Sequence, residues 1–504
     1  MRNSLVIIFV FFLNFSNAQL AHTTFSPIKY SSIENSIERQ NYSLHTSCKP
    51  YFVFDLTDST LKYRQINKID SSEANISFAP IIGLTPYFDA NKKEFFYDNT
   101  YGVSALVSYK YKFAFEGKFA RNDIHAPYYI DSLMNNFQVI PGIDKAKLTK
   151  GGFSAWYKEF HLSYKPSKYF VLQAGRGKNF FGDGYRSLLL SDNAAPYPFI
   201  KIRTSVWHFQ YTNLYTLMNN VFPSIGGTRY KFNSIHYLSW NIHRKLNLSF
   251  FESIVFANRD TSNNTLSYDI NYLNPLIFYR PVEYSIGSSD NAFMGGNLKW
   301  NFVKNHQLYF QMMLDEFYVK EIKARNGWWA NKQGYQFGYK WFNAFTLKNL
   351  FLQAEYNYIR PYTYTHGLIT QSYTHLNQSL AHPIGANLTE KIFIIRYQKT
   401  KWLSELKINS IIYGVDSMGV NVGQNINRSY VKPYKTYGNY IGQGLKNNLT
   451  IFSFKFIYHV FPKGLLDTEL WVLSRNQINT INSSNNLFIG IGIKSNMINK
   501  YWDF

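Results

Sequence analysis

Residues 101–120 read YGVSALVSYKYKFAFEGKFA, and their apolar and polar positions separate by parity. Tyr101, Val103, Ala105, Val107, Tyr109, Tyr111, Phe113, Phe115 and Phe119 are odd; Gly102, Ser104, Ser108, Lys110, Lys112, Glu116 and Lys118 are even. A helix would mix the two sets on every face, whereas a strand sends alternate side chains to opposite faces. The period predicts β-strand, apolar on one side and polar on the other.

Further runs follow in pairs joined by very short turns: 156–164 with 169–175, 234–242 with 246–256, 297–303 with 308–314, 335–345 with 350–358, 391–397 with 402–413, and 450–460 with 465–473. A last run covers 487–494 and a first lies near 76–84. The turns KPSK, HRKL, VKNHQ, LKN, QKTK and FPKG each carry Lys or Arg, and much longer Gly-, Asn-, Ser- and Pro-rich segments separate the hairpins. Short turns alternating with long loops predict an all-β fold, a transmembrane antiparallel β-barrel with short periplasmic turns and long extracellular loops. A β-sandwich also uses hairpins but does not need so many strands. If the basic turns share the periplasmic side with both ends of the chain, an even number of strands lies between 169–175 and 234–242. Residues 202–214 supply one; no partner is clear in 215–231. The count is about 16 without that pair and about 18 with it, and either encloses a lumen.

Composition sharpens this picture. MRNSLVIIFVFFLNFSNAQ has a charged start, an apolar centre and small residues before Gln19, which predicts a signal peptide over 1–18. Its apolar run is too short to span a bilayer. Residues 19–74 are expected as an N-terminal periplasmic segment with a helix near 31–40, and 75–504 as the barrel. Aromatics make up 19% of the chain, with 43 Phe, 41 Tyr and 10 Trp, a usage suited to surfaces that are apolar on one side and wet on the other. One cysteine, Cys48, excludes an intrachain disulfide framework. The sequence ends NKYWDF, and a Phe closing the last strand is expected there. The net charge of +22 is scattered rather than clustered, which excludes nucleic acid as a partner and favours outer-membrane lipid and acidic surface polysaccharide.

Three segments carry candidate chemistry. The first is GRGKNFFGDGYRSLLLSDNAAPYP, residues 175–198. Neither G-x-x-x-x-G-K-[ST] nor G-x-G-x-x-G is present, and no helix follows to receive a phosphate. It reads instead as the end of an outward strand and the start of a loop. Arg176, Lys178, Asp183 and Arg186 either meet an anionic ligand or hold the loop as a plug, with Asp183 and Asp192 as the expected counterions. The second is the echo LSDNA and SSDNA, whose Asp192, Asn193, Asp290 and Asn291 suit self-capping turns or sugar hydroxyls. The third is residues 360–387, where Tyr362, Tyr364 and His366 belong to a Tyr-, Thr- and amide-rich loop of the kind that contacts carbohydrate. His366, His375 and His382 have no metal-ligand spacing, so no metal and no cofactor are predicted. Catalysis is not predicted either. His208 and Asn213 lack a suitably placed Ser, and adjacent acids in LDEF point to opposite faces of a strand.

Several long strings, GRGKNFFGDGYRSLLLSDNAAPYPFIKI, NPLIFYRPVEYSIGSSDNA, WWANKQGYQFG, EYNYIRPYTYTH and LAHPIGAN among them, resemble the Wzi-type capsule-assembly barrels, over roughly residues 100–400. The nearest branch by these strings is that of Bacteroidetes, which includes the gliding-motility protein RemB. The resemblance implies an outer-membrane barrel of about eighteen strands that holds capsular polysaccharide to the cell as a non-catalytic, lectin-like anchor. It also implies an alternative, a gliding or surface-protein-secretion accessory acting through protein partners. A passive pore is the third expectation.

Overall fold

The computed structural model describes residues 27–40, 44–56, 74–110, 112–222, 227–257, 268–275, 290–417, 419–460, 466–495 and 498–504. The predicted signal peptide, the FPKG turn, Tyr111 and residues 276–289 lie outside these residues.

Eighteen strands close into one antiparallel barrel. In order they are β1 Ala74–Asp89, β2 Glu94–Tyr109, β3 Phe113–His125, β4 Gly152–Tyr164, β5 Phe170–Gly177, β6 Tyr197–Val206, β7 Phe209–Phe222, β8 Gly227–His243 and β9 Leu246–Ala257. Then come β10 Asn291–Val303, β11 His306–Leu314, β12 Gln333–Phe342, β13 Leu350–Ile359, β14 Leu388–Gln398, β15 Trp402–Val415, β16 Leu445–His459, β17 Asp467–Asn479 and β18 Ser483–Lys494. Each strand pairs with its chain neighbour, and β1 closes on β18 from Gly83↔Lys494 to Asp89↔Phe488.

Two alternating runs prove to be hairpins. Residues 101–120 belong to β2 and β3, which turn at 110–112. Tyr109 pairs with Phe113, so odd faces odd and the parity passes through the turn unbroken. Residues 202–214 likewise contain the turn Trp207–His208, which lacks the Gly, Pro or Asn that normally marks one. The missing partner of that region was therefore inside the run already counted, and 215–231 extends β7 and begins β8.

Eight short connections lie at the end where β1 starts and β18 finishes, which is the periplasmic end of such barrels. Trp207–His208 is the exception to their basic character. The six long loops, 126–151, 178–196, 258–290, 315–332, 360–387 and 416–444, all leave the opposite, outer end. Three short connections, 90–93, 223–226 and 480–482, lie there too.

The outward face carries Ile200, Phe337 and Ile491, each more than half exposed, a surface fit for lipid. One sector departs from this. On β7–β9 the outward positions Asn213, Ser234, His236 and Glu252 are polar and buried. Residues 268–275 fold down over this wall: Asn213 donates to the Pro275 carbonyl at 3.2 Å and Tyr215 to that of Leu273 at 3.0 Å.

The lumen is filled. Loop 178–196 enters it, and Leu188, Leu189 and Leu190 pack fully buried against Phe199, Leu214, Phe251, Phe293 and Met313 of the wall. Full burial of each leucine contributes about 1.5–3 kcal/mol. The described parts of the stretch expected as a separate periplasmic segment are also inside. Helix α1, Pro27–Gln40, sends Ser31 to Arg396 on β14 and Glu34 to Lys340 on β12. His45 meets Ser239 of β8 at 2.8 Å, Cys48–Lys49 pairs with Phe180–Phe181, and Asp55 pairs with Arg203 of β6. Contacts with strands on several sides of the barrel place this segment in the lumen.

The last strand ends at Lys494, so Phe504 does not close it. Residues 498–504 turn back into the lumen, where Lys500 pairs with Asp98 of β2 at 2.7 Å and Asp503 with Lys407 of β15 at 2.6 Å.

Leu189→Ala is expected to lower unfolding free energy by about 2–5 kcal/mol in denaturant titrations in detergent. Lys150→Ala, on an exposed loop, stays within about 0.5 kcal/mol.

Candidate functional site

The glycines of loop 178–196 let its backbone lie against the wall. Gly182 has φ 150°, and a Cβ there would sit 2.2 Å from Gln311 Nε2; at Gly184 it would sit 2.7 Å from Glu355 Oε2. Beside them, the Tyr185 and Arg186 backbone N–H groups donate to Glu355 at 2.6 and 3.1 Å. The Arg186 guanidinium donates to both carboxylate oxygens of Glu390 on β14, at 3.1 and 3.2 Å. It also donates to the Asp503 carboxylate at 3.2 Å and to the Asp503 carbonyl at 2.8 Å. Burial pushes the Asp503 carboxyl up, but Arg186 and Lys407 outweigh it and hold the group at about 2.

The residues singled out from the sequence do not form one site. Arg176 pairs with Asp144 at 2.9 Å, and the Lys178 ammonium donates to the Asp192 carbonyl at 3.0 Å. Burial lowers Lys178 to about 8 against the pull of Asp192 and Glu159. Asp183 accepts from Thr46 and Asn297; burial raises its carboxyl, and Lys299, Lys49 and Lys340 bring it below the usual range. Asp192 accepts from Tyr501 at 2.9 Å and Asn499 at 3.1 Å. The expected Asp183 and Asp192 counterions thus serve other groups, and Arg186 finds its acids on β14 and in the tail.

Asp290 accepts from Tyr272 and Gln371, and Asn291 donates to the Gln371 carbonyl. Tyr362 and Tyr364 are fully buried, their hydroxyls donating to the Asn421 and Leu188 carbonyls at 2.7 and 2.8 Å. Burial, joined by the Lys332 cation, lowers His366 to about 4, so it is neutral at physiological pH. His366 packs edge-on against Tyr430, His375 accepts from Asn219 N–H and His382 meets Glu390, so the three histidines do not converge. The acids of LDEF lie beyond β11, not on it; Asp315 and Glu316 both reach Lys332, at 3.0 and 3.3 Å. Of all these residues only Asn193 lines the large cavity described next.

That cavity, of about 650 Å³, opens at the outer end. Loops 126–151, 178–196, 360–387 and 416–444 wall it together with the outer ends of β15, β17 and β18. Eleven of its lining residues are Asn or Gln, five are aromatic, and none of the described ones is Asp or Glu. Tyr128, at the start of helix α2 Tyr128–Phe137, is 78% exposed and offers an open ring face. Opposite, Arg475 on β17 is buried and lies over the Tyr129 ring at 4.3 Å, with no carboxylate partner among the described residues. Arg475 Nε, Gln378 Nε2 and Asn427 Oδ1 are buried without a hydrogen-bond partner among the described residues. Two donors and one acceptor match hydroxyls, which both give and take hydrogen bonds. The signal for these residues was present in the inward positions of β17, which end Arg475, Gln477, Asn479, but the amides are spread over five distant segments.

No family model and no curated protein matches the chain. Among solved structures it is similar to Wzi of Escherichia coli, an outer-membrane protein involved in group 1 capsule assembly and a carbohydrate-binding β-barrel. Identity is 11% and the TM-score 0.60, over 95% of this chain and 100% of that one. The chain is an outer-membrane, multi-pass β-barrel with a Wzi-like fold. OprD of Pseudomonas aeruginosa aligns at 11% identity and TM-score 0.45, over 84% of this chain and 95% of that one. OpdK of the same organism, with vanillate, aligns at 7% and 0.47, over 84% and 98%.

Arg186→Gln strands two buried carboxylates and is expected to cost about 3–5 kcal/mol in denaturant titrations. The pH dependence follows from Asp503, whose carboxyl is lowered from 3.8 to about 2. Its contribution is complete above about pH 4 and is lost as pH falls through 2. The unfolding midpoint of the wild type should drop across that window, and Asp503→Asn should flatten the drop.

Proposed function

We propose that this barrel anchors or organises polysaccharide at the cell surface, without catalysis, and that the outer cavity holds the sugar. The observation that carries this reading is the cavity lining: amides and aromatic faces, no described carboxylate, and three buried polar atoms with no partner among the described residues. Aromatic faces stack on sugar rings, amides meet hydroxyls, and Arg475 with Lys92 favours a sugar that carries acid groups. The excess of basic residues over the whole chain supports the same ligand charge. The fold shared with Wzi, a carbohydrate-binding barrel, supports it further.

The second reading is a gliding or secretion accessory of the RemB branch, acting through protein partners. It is favoured by Val431, Tyr437 and Tyr440, which are at least half exposed on loop 416–444.

Calorimetric titration of the purified barrel with glycan from its own cell tests the first reading. Tyr128→Ala and Asn427→Ala are each expected to weaken binding about 3- to 10-fold, the equivalent of about 0.5–1.5 kcal/mol. In cells, deletion should release surface glycan. Deletion that abolishes colony spreading but leaves the glycan attached, with no binding to the purified barrel, overturns the first reading in favour of the second.

A further inference from the structure

A second cavity, of about 240 Å³, lies in the same sector as the first but toward the periplasmic end. It is lined by the lower inward positions of β1 and β15–β18, among them Glu405, Lys455, Glu469 and Lys494. Pro127 and Tyr129 line both cavities, and the tail parts them: Phe504 faces the outer one, and Trp502 and Asp503 the inner one. Elsewhere the lumen is packed with Leu188–Leu190 and the N-terminal segment. Along this sector the tail and Tyr129 stand between the two spaces.

Like α1, the tail is attached to the barrel by side chains. Among the described residues, no backbone–backbone hydrogen bond joins 498–504 to the barrel. It is held by side chains: Lys500 on Asp98, Tyr501 and Asn499 on Asp192, and Asp503 on Arg186 and Lys407. Tyr129 donates to the Trp502 carbonyl at 3.2 Å, and the Trp502 indole N–H is buried without a partner. Moving this segment breaks no strand pairing and leaves the barrel closed.

We propose that residues 498–504 form a displaceable strap. Its release joins the two cavities into a passage for hydrated ions and small sugars along β15–β18 and β1. The lining is mixed on both sides, amides among aromatic and aliphatic side chains above and Lys and Glu among aromatic rings below, so small solutes with hydroxyl groups find partners along it. The passage runs through the outer cavity and past the Arg186–Asp503 contact, so bound glycan should block it, whereas conductance measured without glycan reads the strap alone.

The test is conductance of the full-length protein in planar bilayers in potassium chloride, with swelling of glucose-loaded liposomes as a second readout. Heat-modifiable mobility on gels reports folding for every variant. The combined Lys500→Ala, Trp502→Ala variant removes one ion pair and the central ring while keeping Asp503 on Arg186. It is expected to raise the open fraction at least tenfold over wild type and to speed swelling. The pair Asp98→Cys and Lys500→Cys, in a Cys48→Ser background and joined by a bismaleimide whose linker carries a disulfide, pins the strap while that disulfide is oxidised. That barrel should be silent, and reductant, which frees the strap without its Lys500–Asp98 ion pair, should raise conductance above wild type. A folded Lys500→Ala, Trp502→Ala barrel as silent as the oxidised one overturns the proposal. So does an oxidised barrel that conducts as freely as the reduced one, because the passage would then run elsewhere.

Discussion

A permanent positive charge in the middle of a closed barrel must be answered there, and Arg186 is that charge. It is 3% exposed, and its acids come from a strand and from the tail beyond the last strand. Burying a guanidinium is costly unless it is paired and hydrogen-bonded, so this contact sets where loop 178–196 can rest. With Arg186 on Glu390 and Asp503, Leu188–Leu190 occupy the lumen centre. Their carbonyls in turn receive the Tyr364 and Tyr373 hydroxyls at 2.8 Å. Those bonds shape loop 360–387, and that loop brings Asn377 and Gln378 to the outer cavity. The site at the surface thus rests on an ion cluster in the core.

The same logic runs toward the periplasm. Glu34, Asp55 and Asp183 tie α1 and the segment after it to Lys340, Arg203 and, through Thr46, to Lys299. A polar inner wall needs polar occupants, and the chain supplies them from both of its ends. Part of the basic excess is therefore spoken for inside the barrel, while Arg475 has no acid beside the cavity among the described residues. The charge that a ligand meets is local and small compared with the net charge of the chain.

The barrel was legible because period-two alternation is a direct consequence of strand geometry and lipid contact. Strand count suffered where tight turns lacked turn residues: Lys110–Lys112 and Trp207–His208 carry the alternation through without a break. For loop 178–196 the charged positions left a plug and an anionic-ligand site both open, and Leu188–Leu190, which fill the lumen, were no part of that reading. The loop's partners were not legible, since Glu390 and Asp503 lie far along the chain and only barrel closure brings them to Arg186. The candidate ligand residues lie apart from one another for a related reason. Tyr362, Tyr364 and Asp290 have the right chemistry for sugar, but they are consumed in holding loops together. The residues left with unpaired atoms sit at strand ends and loop bases that no local pattern distinguishes.

The most direct measurement is a structure of the full-length barrel determined with saturating fragments of its own surface glycan. The account predicts a sugar ring over Tyr128, with hydroxyls within hydrogen-bond reach of Asn427, Gln378 and Arg475. Fragments bound at another surface, with this cavity empty, would contradict it.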